Sequence, residues 1–198
     1  MTESKTFLIA GVGGGPGRAF AERALRAGHR VVGFVRRPEQ VAGFEALGPG
    51  LAFARVLDIG SATGIEPAIR AIEADIAPID VLVAGTDHGE ATVEDLRRQR
   101  DIDVFGTVAV VKAVLPGMRW RRAGTVVVVT PDSTSSYHGS KFALVGIMLS
   151  LATEVAPFDV RVTAVGPDAF RAAWSDDGLV LEPADGPLAL GAGPTTLP

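Results

Sequence analysis

The stretch FLIAGVGGGPGRAFAERAL, residues 7–25, decides how this chain folds. It joins an apolar run of strand length, a turn rich in glycine, and a segment whose apolar residues recur at helical spacing. Pro16 suits the first turn of a helix, because the N–H that proline lacks would have no intrahelical partner there. This order predicts the first strand–turn–helix unit of a parallel sheet whose strands are connected by helices.

The rest of the chain repeats this alternation of strands and helices. The predicted strands are Phe7–Ala10, Arg30–Val35, Leu51–Leu57, Asp80–Ala84, Thr125–Thr130 and Val160–Val165. The predicted helices are Gly17–Ala27, Pro38–Leu47, Ala62–Asp75, Thr92–Met118 and Tyr137–Val155. Because such units are joined by right-handed crossovers, we expect an α/β fold with a doubly wound parallel sheet, the Rossmann fold, with six or seven strands and helices on both faces.

The segment after Gly166 has a different composition, rich in Gly, Pro and Ala. Within it we predict a short helix over Ala169–Trp174 and a candidate seventh strand over Leu179–Glu182. The last ten or so residues are expected to form a loop or a disordered end. Residues 1–186 are therefore predicted to form a single domain, and residues 187–198 a flexible tail.

The bulk composition argues against several classes of protein. A chain of 198 residues that is 47% hydrophobic can bury a core of its own, and its net charge of −4 argues against nucleic-acid binding. The absence of Cys excludes disulfides and thiolate metal sites, and three scattered His predict no metal site. The aliphatic run Val126–Val129 is far too short to span a bilayer, and no signal peptide is visible. We expect a cytoplasmic protein with no membrane contact.

The glycines of the first turn follow a G-x-x-x-G-x-G spacing, with Gly11, Gly15 and Gly17 as its members. Residues without side chains let the backbone approach a pyrophosphate closely, and the helix start supplies N–H groups and a positive dipole end. The alternative is an ordinary strand–helix connection in a chain that holds 24 Gly. As the first unit of a Rossmann pattern, the turn favours dinucleotide binding, with Gly14 as a further contact.

The second predicted strand ends in VVGFVRRPE, where an acidic residue would accept hydrogen bonds from an adenosine ribose. Arg36 and Arg37 stand there instead and would attract a 2′-phosphate, which favours NADP(H) over NAD(H). The alternative is a solvated basic pair before a helix. Asp58, at the end of the third strand, is placed to reach an adenine amine or to cap the turn that follows.

Tyr137, the single tyrosine of the chain, precedes Lys141 by four residues, so on a helix the two side chains share a face. A nearby ammonium group favours the phenolate, which makes the phenol a usable proton donor or acceptor near neutral pH. The alternative is a helix start that carries an amphipathic Tyr and a Lys with its charge in solvent.

These features together resemble the short-chain dehydrogenase/reductase family, of the classical NADP(H) type, from Lys5 to about Trp174. The matching motifs are the glycine turn, VRRPE, DVLV at residues 80–83, DLRRQRDIDVFG at residues 95–106, AVLPGMR at residues 113–119, Y-x-x-x-K with SKFAL, and APFDVRVTAV at residues 156–165. In that family the tyrosine transfers a proton to the substrate oxygen, the lysine holds the nicotinamide ribose, and the nicotinamide carries the hydride.

The resemblance implies an NADP(H)-dependent oxidoreductase that reduces a carbonyl group, or oxidises an alcohol, on a small organic substrate. Tyr137 and Lys141 would be catalytic, with Lys141 also binding the cofactor. The further cofactor contacts that it implies are Asp58, Ile59, Ala84, Gly85, Gly166 and Pro167.

The predicted active-site end departs from the family pattern at several positions. The family's N-N-A-G motif is replaced by Ala84-Gly85, and its catalytic Asn falls on Asp103, whose ionised carboxylate cannot donate a hydrogen bond as an amide does. The segment that covers the substrate after the sixth strand is very short, and an uncovered site excludes water poorly.

The loop before Tyr137 is shorter than in the family, so the position of the catalytic serine is ambiguous. A strict alignment puts Thr130 or Pro131 there, while Ser133 or Thr134 could take the role, and we assign it to Ser133. The alternative is that the hydroxyls of this loop cap the helix that follows.

Two functions remain open from the sequence. The first is the NADP(H)-dependent oxidoreductase, and the second is a related scaffold that performs a cyclisation or isomerisation, or only binds a ligand. The helix over residues 137–155 is apolar on nearly all sides, so we expect a homodimer or homotetramer that pairs through it.

Overall fold

The computed structural model describes residues 4–61, 63–84, 97, 100–129, 138–165, 174–175, 178–181 and 195–197. Six strands form the main sheet: β1 Thr6–Ala10, β2 Arg30–Val35, β3 Ala52–Val56, β4 Val81–Ala84, β5 Gly124–Val129 and β6 Val160–Val165. The helices are α1 Gly15–Arg26, α2 Gln40–Glu45, α3 Ile65–Asp75, α4 Thr107–Arg121 and α5 His138–Val155. A π-helix, Asp101–Gly106, leads into α4, and a 3₁₀ turn, Ala156–Phe158, follows α5.

All six strands of the main sheet are parallel, and their order is β3-β2-β1-β4-β5-β6. The chain starts in the middle at β1, builds outward to β3, and then crosses back to place β4 on the other side of β1. This is the doubly wound topology predicted from the sequence, and that prediction is confirmed. The order reverses between β1 and β4, and at such a switch point the loops after the two strands diverge and leave a crevice at their carboxyl ends.

The core consists of two apolar layers, one on each face of the sheet. Residues alternate along each strand, so Leu8 faces the layer formed by α3, α4 and α5, while Phe7 and Ile9 face the layer formed by α1 and α2. All three side chains are at most 1% exposed. Strands buried on both faces are continuous apolar runs rather than alternating patterns, and this explains why the six strands were predictable from the amino-acid pattern.

The boundaries of several elements differ from the sequence-based predictions. The helix α2 is shorter than the predicted 38–47. Within the helix predicted over 92–118, Arg97 and Arg100 are helical, Asp101–Gly106 has π geometry, and α4 ends at Arg121 rather than at Met118. Local propensity cannot reveal a π segment, because the extra residue per turn is imposed by packing.

The C-terminal part also differs from the prediction. A strand, β8 Gly178–Leu181, is present close to the predicted 179–182, but it joins a separate antiparallel sheet with β7 Trp174–Ser175 and β9 Thr195–Leu197 rather than the main sheet. Trp174 was predicted to end a short helix, whereas it is in a strand; residues 169–173 lie outside the described part. Residues 195–197 were predicted to be loop or disordered, whereas they are a strand. Strands of two or three residues in a Gly- and Pro-rich segment are too short for periodicity to detect.

His29 is a buried titratable residue at the amino end of the sheet. Its side chain is 6% exposed, its Nδ1 accepts a hydrogen bond of 3.2 Å from the Lys5 backbone N–H, and its ring lies 5.2 Å from the Phe7 ring. Burial lowers the pKa of His29 below its ordinary 6.5, the Lys5 charge lowers it further, and the Asp80 charge opposes both. The folded protein therefore favours the neutral imidazole.

The free energy of unfolding is expected to fall as the pH drops below 6.5. In that range the unfolded chain binds a proton at His29 more readily than the folded chain does. The contribution of His29 to the free energy of unfolding is therefore complete above pH 6.5 and is lost as the pH falls toward the lower pKa of the folded state. Urea unfolding from pH 7.5 to 5.5 measures this slope. The His29→Gln variant retains a side-chain acceptor and should show a smaller slope; an unchanged slope would contradict the assignment.

Candidate functional site

The turn between β1 and α1 is held by glycines at positions that no other residue fills well. Gly11 has φ 103° and Gly15 has φ 57°, both in the left-handed region that favours glycine. A Cβ placed on Gly17 would lie 2.1 Å from the carbonyl oxygen of Gly11. The start of α1 is thus pressed against the backbone at the end of β1.

The outer side of the same turn is open. Gly13 and Gly14 are exposed, and a Cβ on Gly14 would meet no described atom within 4 Å. Gly14 is the N-cap of α1, and no side chain caps that helix start. The first N–H groups of a helix have no intrahelical acceptor, so an uncapped start beside exposed backbone suits a phosphate group. These glycines therefore fit a dinucleotide pyrophosphate.

The carboxyl end of β2 lies beside this turn, because β1 and β2 pair with Ala10 opposite Phe34. Arg36 and Arg37 follow β2 directly and are exposed. Arg37 forms an ion pair of 3.2 Å with Glu39, whose side chain is 65% exposed, so solvent screens this pair. The structure brings the predicted arginine pair next to the predicted glycine turn.

Gln40 is a residue of this region that sequence reasoning missed. Its Oε1 accepts hydrogen bonds from the backbone N–H groups of Arg36, at 3.1 Å, and Arg37, at 3.0 Å. The side chain thereby closes the turn between β2 and α2. A polar residue five positions after the end of a strand was the available signal, but many loops share it.

A small pocket of about 230 Å³ lies between the glycine turn, the start of α1, the end of β2 and α2. It is lined by Val12, Gly13, Arg18, Val35, Gln40, Gly43 and Phe44. Its polar lining comes from a guanidinium and a carboxamide, while its floor is apolar. The pocket therefore adjoins the predicted cofactor residues on the side of the arginine pair.

Asp58 and Ile59 follow β3, and Ala84 ends β4. The Asp58 Oδ1 accepts a 3.0 Å hydrogen bond from the Gly60 N–H, so Asp58 caps its own turn, which is one of the two roles predicted for it. Ile59 is 8% exposed, and Ala84 pairs with Ala10 at the switch point. The adenine contact predicted for Asp58 stays a prediction.

Asp103 lies within the π-helix and is fully buried. The segment is held close to the β3 loop, because a Cβ on Gly106 would lie 2.4 Å from the Ile59 carbonyl oxygen. The α5 helix packs against this π-helix from the other side. Isolated π turns inside helices occur frequently at functional sites, and this one holds the carboxylate predicted at the active-site end.

Several predicted site residues lie outside the described part of the structure. They are Tyr137, Ser133, Gly85, Gly166 and Pro167, together with the alternatives Thr130, Pro131 and Thr134. Lys141 lies in the first turn of α5, and its side chain is outside the described part. The phenol–amine pair and the serine assignment therefore stay predictions.

The doubly wound sheet, with its glycine turn at the switch point, places the protein in the Rossmann-fold class. Residues 5–177 match the family model described as short chain dehydrogenase. The chain belongs to this oxidoreductase family, as the motifs predicted.

Relatives and solved structures of the same kind resemble most of the chain. It is 30% identical over 193 residues to a 3-ketodihydrosphingosine reductase of Bacteroides thetaiotaomicron, covering 91% of this chain and 69% of that protein. It is 31% identical over 175 residues to the NADP-dependent 3-hydroxy acid dehydrogenase YdfG of Escherichia coli, covering 81% of this chain and 70% of that protein. A solved short-chain dehydrogenase from Streptomyces avermitilis is 33% identical with a TM-score of 0.76, covering 83% of this chain.

The chain is shorter than these proteins, and it spans 65% of the length of the Streptomyces avermitilis structure. No helix within the described ranges is long and apolar enough to cross a bilayer.

Replacing Gly17 by Ala is expected to destabilise the fold, whereas Gly14→Ala is its matched control. The new Cβ of Gly17→Ala meets backbone at 2.1 Å, so α1 must shift, and we expect a loss of about 1–3 kcal/mol in the free energy of unfolding. Gly14 has extended backbone, with φ 170°, and open space around it. Gly14→Ala should therefore lower the free energy of unfolding by less than about 0.5 kcal/mol. Urea unfolding compares the two variants; equal losses would contradict the described turn.

Proposed function

We propose that this protein is an NADP(H)-dependent oxidoreductase that reduces a carbonyl group, or oxidises an alcohol, on a small organic molecule. The observation that carries the proposal is the glycine turn, in which Gly17 approaches the Gly11 carbonyl while Gly13 and Gly14 stay open beside the arginine pair. A related NADP-dependent 3-hydroxy acid dehydrogenase, with 31% identity, supports the same chemistry.

The cofactor would be held by residues from several strand ends. Gly11, Gly14, Gly15 and Gly17 would hold the pyrophosphate through backbone N–H groups and the start of α1. Arg36 and Arg37 would bind the adenosine 2′-phosphate through charge-assisted hydrogen bonds. The residues proposed to line the remaining cofactor site are Asp58, Ile59, Ala84, Gly85, Lys141, Gly166 and Pro167.

NADP(H), when bound, supplies or accepts the hydride at its nicotinamide ring. Tyr137 would transfer a proton between its phenol oxygen and the substrate oxygen, which gains charge as the carbonyl is reduced. Lys141 would favour the phenolate and hold the nicotinamide ribose, and the Ser133 hydroxyl would polarise the carbonyl. These roles rest on the family resemblance and on residue spacing.

Asp103 supports a second candidate function. A fully buried carboxylate stands at the position of the family's catalytic asparagine, and an ionised carboxylate does not donate a hydrogen bond. A scaffold that keeps the fold but has lost hydride transfer would tolerate this exchange. Such a protein would catalyse a cyclisation or isomerisation with Tyr137 as the acid, or would only bind a ligand.

Titration with NADPH and NADH, followed by nicotinamide fluorescence, tests the proposed cofactor. We expect the protein to bind NADPH more tightly than NADH and to turn over a member of a panel of aldehydes and ketones. Tyr137→Phe should keep the NADPH affinity within about threefold and lower kcat by about 100-fold or more, because it removes a proton donor and retains the ring.

The outcomes separate the two candidates. NADPH binding without turnover of any carbonyl, in wild type and variant alike, would support the scaffold that has lost redox chemistry. Failure to bind either nucleotide would contradict the cofactor assignment itself.

The exposed face of α5 supports the predicted homodimer or homotetramer. Ala143, Gly146, Ile147 and Ser150 are all exposed and lie at helical spacing on one face. Ile147 is 40% exposed, and Phe105, on the π-helix that packs against α5, is 61% exposed. Small residues around a large apolar side chain allow a partner helix to approach closely, and a second copy of the chain would supply that helix.

Ile147→Glu is expected to dissociate the oligomer, because it would bury an unpaired charge at the interface. Val56→Glu is the matched control, since Val56 is 48% exposed on the edge strand β3, away from α5. Light scattering coupled to size-exclusion chromatography at micromolar concentration measures the mass. A monomeric wild type, or an Ile147→Glu variant that keeps the wild-type mass, would contradict pairing through α5.

A further inference from the structure

The orientation of the Gln40 side chain is determined by its partners. A carboxamide has one acceptor oxygen and one donor NH₂ group, so the groups around it show which end is which. Here two backbone N–H groups, those of Arg36 and Arg37, point at the same end of the amide from 3.1 and 3.0 Å. That end must be the oxygen, so the NH₂ group faces the opposite way.

The NH₂ group of Gln40 lies at the small pocket, which Gln40 lines. The Gln40 Nε2 lies 3.7 Å from the position that a Cβ on Gly13 would occupy, so the NH₂ group lies beside the exposed backbone of the glycine turn. The apolar floor of the pocket, formed by Val12, Val35 and Phe44, is at most 2% exposed and offers no hydrogen-bond acceptor from its side chains.

Arg18 forms the other polar wall of the pocket. Its Nε donates to Glu22 at 2.9 Å, and its guanidinium lies 6.0 Å from the centre of the Phe44 ring. Glu22 itself does not line the pocket. The side chains that line the pocket therefore present donors and no carboxylate.

The size of the pocket limits what it can take. Pockets for whole drug-sized ligands measure about 300–1,000 Å³, whereas this one measures about 230 Å³. A single group of a larger molecule is the better fit. An oxyanion such as a phosphate only accepts hydrogen bonds, so it matches a donor lining, whereas a hydroxyl also needs an acceptor for its own hydrogen.

We propose that Gln40 determines cofactor specificity by directing its NH₂ group at the 2′-phosphate of the adenosine ribose. This inference rests on the proposed NADP(H) function and extends it to a residue outside the arginine pair. The backbone N–H groups of Arg36 and Arg37 act indirectly, because they hold the amide with its donor toward the pocket.

Gln40→Glu tests the role of the NH₂ group with little change in shape. One carboxylate oxygen can still accept from the two backbone N–H groups, while the other replaces the NH₂ group and repels a phosphate. Ala42→Glu is the control, because it adds the same charge to an exposed position of α2 that does not line the pocket. Thermal melting first checks that both variants are folded.

Calorimetry with adenosine 2′,5′-bisphosphate and with adenosine 5′-monophosphate measures the preference independently of turnover. In wild type we expect tighter binding of the bisphosphate. Gln40→Glu should lower the ratio of the two affinities by about tenfold or more, since it removes a hydrogen bond to a charged group and adds a like charge. Ala42→Glu should leave the ratio within about threefold.

The inference is overturned if the affinity ratio of Gln40→Glu stays within about threefold of the wild-type ratio. It is also overturned if Ala42→Glu lowers the affinity ratio as much as Gln40→Glu does. If Gln40→Glu does not fold, Gln40→Leu replaces it and should lower the ratio by about threefold or more; an unchanged ratio there would overturn it as well. A wild type that binds NADH at least as tightly as NADPH overturns the role of Gln40 and the choice of NADP(H) as cofactor, and leaves the proposed hydride transfer standing. A wild type that binds neither nucleotide defeats the proposed function itself.

Discussion

The contact between Gly17 and the Gly11 carbonyl is the constraint on which the candidate site depends. Because no side chain intervenes, α1 starts directly against the end of β1. The apolar side of α1, with Phe20, Ala21 and Ala24, then packs on the same face of the sheet as Phe7. The turn is forced outward at Gly13 and Gly14, which leaves backbone exposed where a phosphate group can approach.

The strand order places the glycine turn beside the other residues of the candidate site. With β1 at the centre and β2 and β4 on either side, the segments after these strands emerge at one edge of the sheet. The glycine turn, the arginine pair and Ala84 therefore lie along neighbouring strand ends. In the loop after β3, the Ile59 carbonyl packs directly against Gly106 of the π-helix, because Gly106 has no side chain. This contact holds the buried Asp103 near the same edge of the sheet.

Much of this arrangement was predictable from local pattern. The six strands were predicted because parallel strands buried on both faces are continuous apolar runs, and the glycine turn was predicted because its spacing has a steric cause. Gln40, the π-helix and the small antiparallel sheet were not. Each depends on partners distant in the fold or on hydrogen bonds of a side chain whose direction local sequence does not specify.

Local sequence pattern is enough to identify the family, the parallel sheet and the place of the glycine turn, since periodicity and the absence of a Cβ act within a few residues. The orientation of the Gln40 amide, the position of the small donor-lined pocket and the burial of Asp103 follow from the three-dimensional packing. These depend on the distances between β1, β2, α2 and the π-helix, and packing of the whole sheet sets those distances.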